Sequence, residues 1–217
     1  MNTRVLAKIG VYIFPVLTLV FACVYFGNES LYRELISEDN IVEWFTFLFL
    51  WLTGILSTIA WYRIRRAYGY HQWFFILFAG FAFLAGLEEI SWGQRIFRIE
   101  STEFFNKYND QKETNLHNTF QGIFQVKTKH IALLGMFIYG VVFPWLMQRN
   151  RLNKRIFNQK AVIIPPYFLV TGFIFATIMM FDFQTGYEEE IGELYFSMCF
   201  CIMLWWELWF LKQRQKT

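Results

Sequence analysis

The chain has 217 residues, of which 56% are hydrophobic, 22% aromatic and only 17% charged, with a net charge of +3. Soluble domains carry about 25% charged residues, so this composition excludes a disordered chain, a collagen-like repeat and a charged tail protein, and argues against a water-soluble fold. Cys23, Cys199 and Cys201 are too few for a disulfide framework, and the spacing of Cys199 and Cys201 points them to different sides of a helix, so they cannot chelate one metal together.

Charge-free runs mark membrane spans, each of which needs about 20 apolar residues. The first covers residues 9–28. Behind Arg4 and Lys8 it has the outline of a signal peptide, but its length and the bulky Phe21 in Val20-Phe21-Ala22-Cys23 identify it as a retained helix. The second span covers 42–62 and the third 68–90. A long connection, 93–129, follows, in which Ser101-Thr102-Glu103-Phe104-Phe105 predicts the capped start of a short amphipathic helix lying on the membrane surface. Spans four, five and six cover 130–148, 161–182 and 191–211. Glu207, near the end of the sixth, stands about one turn from Lys212 and Arg214 and can pair there at the interface. The expected fold class is therefore all-α, a single polytopic membrane bundle of six helices.

The connecting segments fix an orientation, because cytoplasmic loops collect Lys and Arg. With the N-terminus inside, the inner segments hold 13 of the 20 basic residues, while 16 of the 17 acids fall on the outer side. Both termini are expected in the cytoplasm. The basic stretch from Arg149 to Lys160 is this positive-inside signal and not a nucleic-acid patch. Trp205, Trp206 and Trp209 form an interfacial aromatic belt, and His71 and His130 are expected to be interfacial residues.

Ionisable residues at the mouths of spans are costly and so point to function. Topology alone brings Glu43, Glu88, Glu89, His117, Asp182, the run Glu188 to Glu190, and Glu193 to the outer leaflet. Helical phase selects among them. Glu43, Thr46, Thr53 and Ser57 form a polar stripe with Leu50 in its gap, which should face protein. Ala82, Gly86, Glu89 and Gly93 share a face of small residues that permits close packing, making Glu89 a better buried candidate than Glu88. Glu189 and Glu190 stand four and three residues before Glu193, the deepest of the acids. Glu188 has an equal claim to be a solvated helix-capping acid.

Several carboxylates in a low-dielectric pocket need compensation. Shared protons, pairing with Arg95, or a divalent cation held by Glu43, Glu89, His117 and Glu193 would each supply it. Carboxylate with imidazole suits zinc, iron or manganese, and such a metal can activate water against an ester, amide or phosphodiester; His117 can instead act as a general base.

The string Glu88-Glu89-Ile90-Ser91-Trp92-Gly93-Gln94-Arg95, followed by Asn115-Leu116-His117-Asn118, resembles a family of small bacterial multi-pass membrane proteins that carries no assigned activity. The resemblance covers the central third of the chain and implies a location in the bacterial inner membrane. Glu38-Asp39-Asn40 before Glu43 is faintly similar to the alkaline-ceramidase-like membrane hydrolases, which hold zinc with acid and His residues near one membrane face. This chain differs from them in predicting six spans instead of seven and in lacking paired histidines in a late helix.

The leading functional expectation is an enzyme, hydrolase or transferase, acting on a lipid or lipid-linked small substrate at the outer leaflet. Glu43, Glu89, His117 and Glu193 would be catalytic, Arg95 would bind an anionic headgroup, Trp92, Asn115 and Asn118 would contact substrate, and 93–129 would act as a lid. Membrane lipids are the expected partners, with no nucleic acid. The alternatives are a transporter or non-enzymatic subunit in which the same acids relay a cation or proton, and a structural, partner-binding protein braced by an ion-pair network. Pro165-Pro166 has no counterpart in the other half of the chain, which disfavours a transporter of two repeated halves.

Overall fold

The computed structural model describes residues 3–37, 40–97, 128–149, 162–181, 183 and 185–214. Its elements are α1 (Thr3–Gly27), α2 (Glu29–Ile36), α3 (Ile41–Tyr68), α4 (Trp73–Glu89), a 3₁₀ turn at Ser91–Gly93 and α5 (Gln94–Phe97). After them come α6 (Thr128–Phe137), a π-helical turn at Ile138–Val142, α7 (Phe143–Gln148), α8 (Val170–Met179) behind a 3₁₀ turn at Tyr167–Leu169, and α9 (Glu188–Arg214). Among the described residues there is no strand.

Local chemistry sets several of these boundaries. Asn28 caps α2, its side chain accepting from the Leu31 amide at 3.1 Å. This helix fills the connection between the first two predicted spans, where the sequence reading places no element. Helix α3 stops where Gly69 turns left-handed, its amide donating to the Arg65 carbonyl. Pro144, at the start of α7, has no N–H to continue the ladder, and the chain widens into a π turn immediately before it. Pro165-Pro166 hold the chain extended, with Pro166 at ψ 143°, so helix begins only at Tyr167, later than the 161 expected for the fifth span.

Among the described residues, four helices are long and apolar enough to cross a membrane: Ala7–Gly27, Glu29–Tyr68, His130–Gln148 and Glu188–Gln213. Helix α4, with 17 residues, stands at the lower limit for a span, and Tyr167–Met179 is shorter still.

Helix α3 packs against both α4 and α9, α9 against α8, and α8 against α1. Helix α9 supplies much of the core, including Tyr195, Cys199, Met203 and Leu204, which meet Phe14 and Phe173. Gly172 permits this crossing, since a Cβ there would stand 2.4 Å from the Phe14 ring and 2.6 Å from Cys199 Sγ. Helices α3 and α9 run in the same direction: Glu43 and Glu193 lie near Glu89 at one end, and Arg63 and Lys212 line a common pocket at the other. From Glu43 to Arg63 the helix rises about 30 Å, the thickness of a bilayer core.

The bundle keeps an apolar core but also turns large apolar side chains outward. Leu19, Leu77 and Ile131 are 64%, 70% and 68% exposed, while Thr46, Thr53, Ser57 and Ser197 are buried. Each buried hydroxyl is satisfied. Thr46 donates to the Val42 carbonyl, Thr53 to Phe49 and Ser197 to Leu194, whereas Ser57 reaches across to the Phe75 carbonyl at 2.8 Å and ties α3 to α4. Such a surface suits a lipid solvent.

Candidate functional site

Three helix ends meet where the acids are. Glu89 is the last residue of α4, Glu190 and Glu193 lie in the first two turns of α9, and Glu43 is in the first turn of α3. Gly86, one turn before Glu89, lets α4 approach α3: a Cβ there would lie 2.8 Å from the Trp51 ring and 3.5 Å from Leu50 Cβ. That close contact delivers Glu89 to the acids of its neighbours.

Carboxylate oxygens of Glu89, Glu190 and Glu193 all lie within 4.8 Å of one another, and each of the three residues is half-buried. Glu89 is also within electrostatic reach of Glu43 and Glu88. Like charges at this spacing repel strongly when partly shielded from water, so the arrangement favours a proton, a cation or a basic side chain beside them. Oxygens bound to one divalent cation at about 2.4 Å lie no more than about 4.8 Å apart, so the three carboxylates are close enough to share one ion.

The segment leaving Glu89 is conformationally strained. Ser91, Trp92 and Gly93 take φ values of 46°, 55° and 76°, a left-handed run that costs roughly 1–2 kcal/mol for each residue bearing a Cβ. The turn buries Ser91 and leaves Trp92 partly exposed, its indole N–H donating to the Glu88 carboxylate. Glu88 and Glu89 thereby part company: one is held by Trp92, the other faces the acids of α9.

Of the expected site residues, the structure brings Glu89 and Glu193 together and sets Glu43 within electrostatic reach of Glu89. Glu190 joins them as a third donor, a residue outside the expected ligand set. Its position three residues before Glu193 was the available signal, but the same spacing argument applied to Glu189 and could not choose between them. His117, Asn115, Asn118 and Asp182 lie outside the described residues, as does the expected surface helix near Ser101. Arg95 is on α5, but its side chain is also outside them.

Glu188 has a different task. It is buried, and its carboxylate accepts from the amides of Phe183, Thr185 and Gly186 at 3.3, 3.2 and 3.1 Å, and from the Thr185 hydroxyl. It closes the turn entering α9 and stands apart from the cluster.

Comparison of the chain with protein-family models, with curated proteins and with solved structures finds no match.

Proposed function

We propose that this is a multi-pass inner-membrane protein of six spans, both termini cytoplasmic, whose carboxylate cluster binds a divalent cation and uses it on a lipid or lipid-linked substrate at the outer leaflet. The observation that carries this reading is the convergence of Glu89, Glu190 and Glu193 within 4.8 Å, at the mouth of helices whose outward surfaces are apolar. An all-oxygen donor set suits manganese, magnesium or calcium; zinc or iron would call for His117 as well. The cation would polarise a phosphoryl or carbonyl oxygen and lower the pKa of a bound water, with Glu43 as a second-layer acid or proton acceptor. The family resemblance of Glu88 to Arg95 supports the location, and the faint likeness to ceramidase-type hydrolases agrees with a metal near one membrane face.

The test is metal analysis of protein purified in detergent without chelator, followed by titration of the emptied protein with manganese, calcium and zinc. Stoichiometric binding in wild type is expected to weaken at least tenfold in Glu190→Gln and in Glu193→Gln while the protein remains folded. His117→Ala should reduce zinc binding selectively if the imidazole completes the site. Wild-type protein that binds none of the three ions would sink the cation reading and leave shared protons or pairing with a basic side chain as the device that keeps the acids together.

A further inference from the structure

At the opposite end of the bundle, about 30 Å along α3 from the acids, an open pocket of about 820 Å³ lies along the last turns of α3, with Lys212 of α9 at its edge. Its lining includes Thr58, Trp61, Tyr62, Arg63, Arg66 and Lys212, and among the described residues no acidic one. Arg63, Arg66 and Lys212 make no ion pair among the described residues. The adjoining Arg65 stacks its guanidinium over the Trp61 ring, 5.4 Å from the centroid, adding further positive charge to this wall.

A second observation concerns hydrogen bonding. The Trp61 indole Nε1 is buried and has no acceptor, and the same holds for Gln72 Nε2 at the start of α4, on the same end of the bundle. Buried donors are ordinarily satisfied, and leaving one unpaired costs about 1–3 kcal/mol. Both groups only donate. Arg63, Arg66 and Lys212 are solvent-exposed and together offer an oxygen-rich anion three cations beside the Trp61 ring, whereas the Trp61 Nε1 has no exposed surface of its own. The aromatic flanks and the apolar outer surface of the adjoining helices fit an anion that carries hydrocarbon with it.

We infer that this pocket is a phosphate-binding site occupied by the headgroup of an anionic phospholipid, seated between the C-terminal ends of α3 and α9. Arg63, Arg66 and Lys212 bracket the phosphate beside the Trp61 ring, and the acyl chains lie along the exposed apolar faces of α3. The site is separate from the carboxylate cluster, so its occupancy does not depend on a metal there.

Native mass spectrometry of delipidated protein in detergent tests this, with phosphatidylglycerol, phosphatidylcholine of matched chains, and inorganic phosphate as probes. Wild type is expected to prefer phosphatidylglycerol about tenfold or more. The double variant Arg66→Gln/Lys212→Gln should bring that preference to within about twofold of unity. Arg33→Gln, at the far end of the bundle, should change nothing. The substituted cations are solvent-exposed, and the single variants Arg66→Gln and Lys212→Gln carry the test if the double variant does not fold. Equal binding of the two lipids by wild type, or an undiminished preference in the variants, overturns the site. Displacement of phosphatidylglycerol by millimolar inorganic phosphate overturns the lipid as occupant and assigns the pocket to a free phosphate.

Discussion

Glu188 and Glu190 are two positions apart on one helix, yet their environments separate them completely. Glu188 faces the turn before α9 and spends its acceptor capacity on three amides and a hydroxyl, whereas Glu190 meets Glu89 and Glu193. Removing the Glu188 carboxylate strands those donors, at a cost of about 2 kcal/mol. Glu188→Ala is thus expected to lower the thermal midpoint in detergent by roughly 5 °C and Glu188→Gln by less, with cation binding retained in both. Loss of cation binding in Glu188→Gln with an unchanged midpoint would place this acid in the cluster instead of the turn. Sequence could not separate these roles, because an acid at a helix start serves equally well as a cap or as a ligand until the preceding turn is folded.

At the scale of elements, contact between α3 and α4 depends on a position without a side chain. A Cβ at Gly86 meets the Trp51 ring, while Gly80 on the same helix faces open space with nothing within 4 Å. Gly86→Val should therefore push the helices apart, costing about 1–3 kcal/mol and weakening cation binding by displacing Glu89. Gly80→Ala should be neutral or slightly stabilising, since Ala is the better helix former. Thermal unfolding and metal titration of the two variants check this, and equal effects would remove Gly86 from its role as the point of close approach. The helical phase of Ala82, Gly86 and Glu89 made this face legible in the sequence. Helix α2 was not legible, because eight residues with a polar exposed side give no span-length signal; Asn28 as a cap was its only mark. The late start of helix after Pro165-Pro166 follows from proline chemistry that hydropathy alone does not register.

For the whole molecule, the separation of charge between the two ends carries the membrane reading. Acids gather at the starts of α3 and α9 and bases at their ends, one bilayer core apart, with apolar side chains outward between them. In a background with Cys23, Cys199 and Cys201 replaced, Arg33→Cys is expected to react with a membrane-impermeant maleimide on intact cells, and Lys212→Cys only after permeabilisation. Reversed labelling would invert the orientation, and labelling of both positions from one side would overturn the spanning arrangement.

Composition, charge distribution and periodicity by themselves determined that the chain is helical, that its helices are apolar enough for a membrane, and that Glu43, Glu89 and Glu193 approach one level. Those properties follow from burying apolar surface and from the fixed rise and phase of a helix, which are local. Which acid completes the cluster, and where Lys212 of α9 joins Arg63 and Arg66 of α3, are relations between segments distant in sequence, and which acid caps a turn appears only once that turn is folded. Only the packing of α4 and α9 against α3 decided the first two, because side-chain distances across helices depend on how closely the backbones approach, and at Gly86 that approach is set by the missing side chain itself.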